Sequence, residues 1–240
     1  MVRGALFCCL VVLVLAAPSV SLAQGLSIDL GEGDSLTART LQLIALITVL
    51  SLAPGLAIMI TCFPFVVTVL SILRQAIGLQ QSPPNMLIVS LALFLTYFVM
   101  APVFQEAYDI GIAPLLDGAI TTTEAISRAY GPFQGFMLNR VDPETVAAFL
   151  ELRQLPPGTD PDPSILIPSF MLSEVERAFQ IGFLIFLPFL IIDLVVAAIL
   201  MSMGMMMVPP AIVSLPFKLA FFVVADGWTL VTGALVRSYF

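Results

Sequence analysis

Met201-Ser202-Met203-Gly204-Met205-Met206-Met207-Val208-Pro209-Pro210 interrupts an apolar run that is otherwise long enough to cross a bilayer twice. Five of the protein's eleven methionines lie in these ten residues. Methionine is unbranched and polarizable, so three in succession make a soft apolar surface that can repack around changing partners. Gly204 before them and the Pro209-Pro210 pair after them fix where the helix must stop. The stretch is therefore either a specialised tip or a greasy turn between two membrane helices.

The surrounding composition sets the class. Of 240 residues, 60% are hydrophobic and only 10% charged, against about 25% charged in an ordinary soluble domain. The mean hydropathy of +1.08 agrees. The apolar segments are continuous rather than alternating, which predicts membrane helices and not a barrel. Net charge is −7, and eleven of the sixteen acids fall between Glu106 and Glu176, marking a water-facing insertion. No Lys/Arg cluster exists to bind nucleic acid. There is no histidine, and of three cysteines Cys8 and Cys9 lie in the leader and Cys62 in an apolar stretch. Neither a disulfide nor a thiolate metal site is expected once the leader is removed.

Residues 1–23 read as a cleaved signal peptide, with Arg3, an apolar core from Leu6 to Ala17, and Ser21-Leu22-Ala23 at the cleavage site. Residues 24–39 form an extracytoplasmic N-terminal segment. The first helical hairpin covers 40–104. Its first arm carries no charge from Thr40 to Leu73 but is interrupted by Pro54-Gly55 and Pro64, so a kinked or broken helix is expected. Arg74 closes that arm, Gly78 to Pro84 turns, and the second arm follows.

Residues 105–177 are the polar insertion, helical and extracytoplasmic. Asp142-Pro143-Glu144 is a helix start. Leu155 to Pro163 is a loop, and Ser173-Glu174-Val175-Glu176 has the form of a capping box. Residues 178–240 form the second helical hairpin, in which Asp226-Gly227-Trp228 marks the outer end of the fourth apolar segment. The fold class is thus an all-α membrane protein: two tandem helical hairpins with proline-marked tips plus the insertion. Parity over four crossings puts the insertion and residue 240 outside and both tips inside.

The hairpins are internal repeats. Gly78 with Pro83-Pro84 and Gly204 with Pro209-Pro210 both read G-x-x-x-x-P-P, and Ile88-Val89-Ser90-Leu91 is echoed by Ile212-Val213-Ser214-Leu215. Only the second tip is methionine-rich. Asp193 and Lys218 are the sole charges between Arg177 and Asp226, and their midpoint in sequence falls between Met205 and Met206. In an antiparallel hairpin they share a depth. They are an intramembrane ion pair or assembly contact, or Asp193 is a coupling site for ions, or the two sit at helix ends in water. No nucleophile–base set, phosphate loop or metal spacing is present, so neither an enzyme nor a cofactor is expected.

The stretch from Ser173 to Trp228 resembles the FliP family of flagellar type III export gates, related to the SctR family of virulence secretion. The resemblance is carried by Ala178-Phe179-Gln180-Ile181-Gly182-Phe183, Pro188-Phe189-Leu190-Ile191-Ile192-Asp193, Gly204-Met205-Met206-Met207-Val208-Pro209-Pro210, Leu215-Pro216-Phe217-Lys218 and Asp226-Gly227-Trp228. It is looser from Leu41 to Tyr108. The resemblance implies a homopentamer in the bacterial inner membrane at the flagellar basal body. FliQ- and FliR-like partners and other export-apparatus proteins would join it around a narrow pore for unfolded protein substrates. Met205, Met206 and Met207 would then be the channel gasket. It also implies that gates of this kind sit displaced outward from the bilayer. The alternatives are the equivalent virulence-system subunit and a stand-alone ion-coupled transporter.

Overall fold

The computed structural model describes residues 36–79, 83–156, 158–205 and 207–240. The leader expected over residues 1–23, most of the segment 24–39, Gln80-Gln81-Ser82 of the first tip, Pro157 and Met206 lie outside the described residues. The chain divides into two units, 1–49 and 50–240. In the first, the chain is helical from Leu36, the beginning of α1 (Leu36–Met59), and the side chains from Thr40 to Val49 are exposed.

In the second unit every regular element among the described residues is also a helix. Pro54 lies inside α1 and does not end it, because a helix can forgo one backbone bond at a proline. The break comes at Ile60-Thr61-Cys62. Thr61 Oγ1 donates to Ile58 O at 3.0 Å and accepts from Phe63 N at 3.4 Å, so one hydroxyl serves both helix ends. Pro64 then sits in the first turn of α2 (Phe63–Ile77), where its missing N–H costs nothing.

At 15 residues, α2 is too short to span a bilayer and forms the centre of the core instead. Phe65, Val66, Val69, Leu70 and Leu73 are all at most 1% exposed. Each such side chain contributes about 1.5–3 kcal/mol of burial. The long helix α7 (Pro163–Ser202) packs closely on it because Gly182 has no side chain; a Cβ there would stand 2.4 Å from Ile72 Cδ1.

From α3 (Asn85–Ala107) the chain runs through a π-helical turn at Tyr108–Ile112 into α4 (Ala113–Leu116). Gly111 in that turn lets α5 (Thr122–Leu138) lie directly on it, since an added Cβ would be 2.7 Å from Ala129 Cβ. A capping box of Thr121 and Glu124 opens α5. Asp142 accepts from Thr145 N at 3.1 Å to open α6 (Pro143–Leu152), as Asp142-Pro143-Glu144 predicts.

Two expectations about the next stretch are corrected. The loop ends at Asp162, whose carboxylate accepts from Ser164 N at 2.8 Å and Ile165 N at 3.2 Å, with Pro163 as the first residue of α7. Ser173 is therefore well inside α7 and caps nothing. Its hydroxyl donates to Ser169 O at 2.8 Å and accepts from Asp142 N at 3.0 Å, tying α6 to α7. α7 has 40 residues, about 60 Å of continuous helix.

The last apolar segment is α8 (Pro210–Val224) and α9 (Gly227–Arg237), which meet at a 61° bend. Asp226-Gly227-Trp228 is that bend. Asp226 adopts φ 48°, and Gly227 makes room for Phe222, whose ring a Cβ would approach to 2.2 Å. Trp228 packs edge-on against Phe222 at 5.4 Å. By length and composition, three helices among the described residues could cross a membrane: Thr40–Met59, Asn85–Leu116 and Pro163–Ser202. The bent α8–α9 pair is a fourth if it counts as one span.

Candidate functional site

The methionine tip follows from how α7 ends. Gly204 takes a left-handed φ of 74°, its N–H bonds Met201 O at 3.1 Å, and Met205 N–H reaches back to Leu200 O at 3.0 Å. This pair of reverse bonds is a Schellman motif, which satisfies the last carbonyls of the helix and presses the residue after the glycine against the final turn. Met205 and Leu200 accordingly line one apolar cavity of about 480 Å³, together with Val196, Met203 and Phe217. Met207, by contrast, is 97% exposed. Val208 N–H bonds Met205 O at 3.3 Å, Pro209 is extended, and Pro210 opens α8.

The first tip has the same glycine device. Gly78 has φ 90° and its N–H bonds Gln75 O at 3.0 Å. Pro83 and Pro84 precede α3, but Arg74 crosses the turn to Asn85 Oδ1 and, at 3.5 Å, to Pro83 O.

Asp193 and Lys218 are brought together, with Nζ 2.6 Å from Oδ2. Ser214, one turn before Lys218 on α8, donates to the other carboxylate oxygen at 2.5 Å. Lys218 is 6% exposed and also donates to Ala76 O at 3.1 Å, at the end of α2. An ammonium there stabilises the negative end of the α2 dipole. One lysine thus joins both arms of the second hairpin to the first. Gly78 lies beside this contact: a Cβ there would be in ordinary van der Waals contact with Leu215 Cδ1 at 3.6 Å and Lys218 Nζ at 3.9 Å.

A second ionic cluster escaped the sequence reading. Glu174 is fully buried, yet Arg140 Nη2 lies 3.0 Å and Arg177 Nη1 3.2 Å from its Oε1, and the Tyr239 hydroxyl donates to Oε2. Arg140 also donates to Ser238 O at 2.8 Å and stacks over the Tyr239 ring at 4.0 Å. Phe136 stacks on the same ring and Phe65 meets it edge-on. Burial, reinforced by the neighbouring Glu174 carboxylate, holds the Tyr239 hydroxyl well above its ordinary pKa, so it stays a donor. The cluster joins α2, the end of α5, α7 and the residues after α9. One signal for it is visible in sequence: Leu166, Phe170, Glu174, Ala178 and Gly182 recur every fourth residue, and all are buried. Glu174 occupies a core position in that stripe.

Cys62, buried at the α1–α2 break, is pushed up to about 11, chiefly by burial, and so remains a thiol. Among the described residues no group of three His, Cys, Asp or Glu is placed to hold a metal.

Comparison with known proteins gives the setting. The sequence model of the FliP family matches residues 46–235. The chain is 55% identical over 226 residues to the flagellar biosynthetic protein FliP of Caulobacter vibrioides, covering 92% of this chain and 85% of that protein. It is 45% identical over 237 residues to the flagellar biosynthetic protein FliP of Agrobacterium fabrum, covering 95% and 97%. To that of Bacillus subtilis it is 45% identical over 205 residues, covering 84% and 93%.

Proposed function

The chain belongs to the FliP family, and on that premise we propose that it is a subunit of the flagellar type III protein-export gate. It lies in the bacterial inner membrane at the basal body and acts without catalysis. Several copies, five by the resemblance, assemble with FliQ- and FliR-like partners around a narrow pore for unfolded flagellar proteins. The tips of the second hairpin meet on the channel axis, where Met205, Met206 and Met207 seal it at rest. An apolar constriction excludes water and ions by dewetting, and flexible thioethers can move aside for an extended chain of any sequence.

The observation that carries the seal is the contrast within one turn. Met207 is 97% exposed, while the helices on either side are tied together by Asp193, Ser214 and Lys218. An exposed apolar side chain on an anchored stalk is what a gasket needs. The cation paired with Asp193 also speaks against a stand-alone transporter, because a carboxylate held by an ammonium is a poor proton or ion carrier. The bond from Arg140 to Ser238 O supports placing the insertion and the residues after α9 on one side, the periplasmic one.

Replacing Met205, Met206 and Met207 together by Ala should leave the assembly intact and make cells leak ions when the gate is expressed. Conductance equal to that of the unaltered protein would overturn the gasket.

A further inference from the structure

α9 lies between α7 and α3 without filling the space on either side. Toward α7 a groove of about 330 Å³ is lined by Ile181, Ile185 and Val231. Toward α3 a groove of about 470 Å³ is lined by Leu95, Phe98 and Val236. Arg237 lines both. Its Nε donates to Gly233 O at 3.1 Å, which fixes the guanidinium along the last turn of α9. Among the described residues it makes no ion pair, whereas Arg140 and Arg177 of the same layer are held by Glu174.

We propose that Arg237 and these two grooves bind one diacyl anionic phospholipid, with its phosphate on the guanidinium and its two acyl chains straddling α9. Two apolar channels converging on one cation match an amphiphile with one negative head and two tails. An extended peptide would need partners for its backbone groups, and apart from Arg237 the side chains lining the two grooves offer only the Thr232 hydroxyl. The direction is right as well. Ser238 and Tyr239 adjoin the Glu174 cluster, so Arg237 lies at that ionic layer. Ile181 and Ile185 lie one and two turns beyond Arg177, toward Asp193. Glu174 and Asp193 are about 28 Å apart along α7, close to the ~30 Å of a hydrocarbon core. The head would sit at one polar layer and the tails would run into the apolar band. The site stands on the membrane character of the chain and does not depend on the gasket.

The test uses the full-length oligomer extracted from membranes, stripped of lipid in mild detergent and titrated during native mass spectrometry. The probes are palmitoyl-oleoyl phosphatidylglycerol, its phosphatidylcholine counterpart and single-chain lysophosphatidylglycerol. Phosphatidylglycerol should bind once per chain and about tenfold tighter than phosphatidylcholine, the gain of roughly one charge-assisted hydrogen bond. The single-chain lipid should bind more weakly than the diacyl one. Arg237→Gln should abolish the head-group preference without moving the melting temperature. Ile185→Trp, which fills one groove, should weaken both diacyl lipids and keep the preference. Equal binding of the two head groups, or an Arg237→Gln variant that retains the preference, overturns the site. So does an Arg237→Gln variant that keeps its lipid and loses subunit association, which would assign the groove to a protein neighbour.

Discussion

In the first hairpin the two arms are cross-linked at the turn itself, where Arg74 reaches Asn85 and Pro83 O. In the second, the ionic contact between arms is Asp193 with Lys218, about 14 Å back from the end of α7. Beyond that contact, among the described residues, the second tip is held by the two Schellman bonds, the bond from Val208 N–H to Met205 O and apolar contact. Identical punctuation, glycine and paired proline, therefore ends in one tip stapled shut and one tip carried on a firm base with a free apolar edge. Low local stability belongs where a segment must move. The repeat places the hairpins alike, and the position of the cation sets them apart.

The sharpest way to break this comparison is to remove what holds each base. Glu174→Leu leaves the largely buried Arg140 and the about one-third exposed Arg177 without their carboxylate, and the Tyr239 hydroxyl without its acceptor. Stripping one partner from a buried ion cluster costs about 3–5 kcal/mol. The melting temperature in detergent should therefore fall by on the order of 10 °C. Protease cleavage after Arg237 should rise with it, because Ser238 and Tyr239 lose their anchor. A variant that melts within 2 °C of the wild type, as about 0.5 kcal/mol would give, would mean that the cluster carries no net stability.

Lys218→Met ranks next. It strips the donor from Ala76 O and the counterion from Asp193. Asp193 keeps its bond from Ser214 and is about one-third exposed, so the loss should be nearer 2 kcal/mol than the fully buried figure. Combining it with Asp193→Leu should recover much of that loss, since no charge then remains unpaired. In a subunit-association assay the single variant should weaken assembly and the double should partly restore it. Two additive losses would show that the residues act separately.

The glycines test the tips themselves. Gly204→Ala meets open space, so its cost is only the left-handed backbone, about 1 kcal/mol. Gly78→Ala carries the same penalty at φ 90°, but its methyl would meet Leu215 and Lys218 at ordinary van der Waals distance, so it should lower the melting temperature slightly less. Equal effects would remove the difference between a tip packed on its neighbour and a tip left open.

Much of this was legible in sequence because punctuation residues act locally. Gly78 and Gly204 end helices, Pro64, Pro143 and Pro210 begin them, and Asp142 caps where its spacing predicts. The errors fell where a local signal competes with a longer-range one. Ser173-Glu174-Val175-Glu176 has the form of a cap, but Asp162 had already opened that helix. Glu174 is held by residues 34 and 65 positions away in sequence, which no window on α7 contains. Hydropathy likewise draws α2 as part of a span, although it is a buried core helix that only the tertiary packing distinguishes. The 61° bend at Asp226 hides inside an otherwise unbroken apolar segment. Local chemistry located the tips, and packing made them different.

The smallest expected effect belongs to the contact that separates them most plainly. Arg74→Gln removes the cross-link of the first tip, but Arg74 is a partly buried side chain bonding to neutral oxygens, with no carboxylate partner among the described residues. Contacts of this kind are worth about 1 kcal/mol or less, a shift of roughly 2–4 °C in a chain of this size. Its use is in kinetics of opening. Amide hydrogen exchange at Leu79 and Asn85 should speed up in the variant, while exchange at Met205 and Val208 stays as it was. Acceleration confined to the first tip means that Arg74 is what makes that tip rigid. No change at Leu79 and Asn85 would mean that the paired prolines alone suffice, and the two tips would then be alike in everything except their methionines.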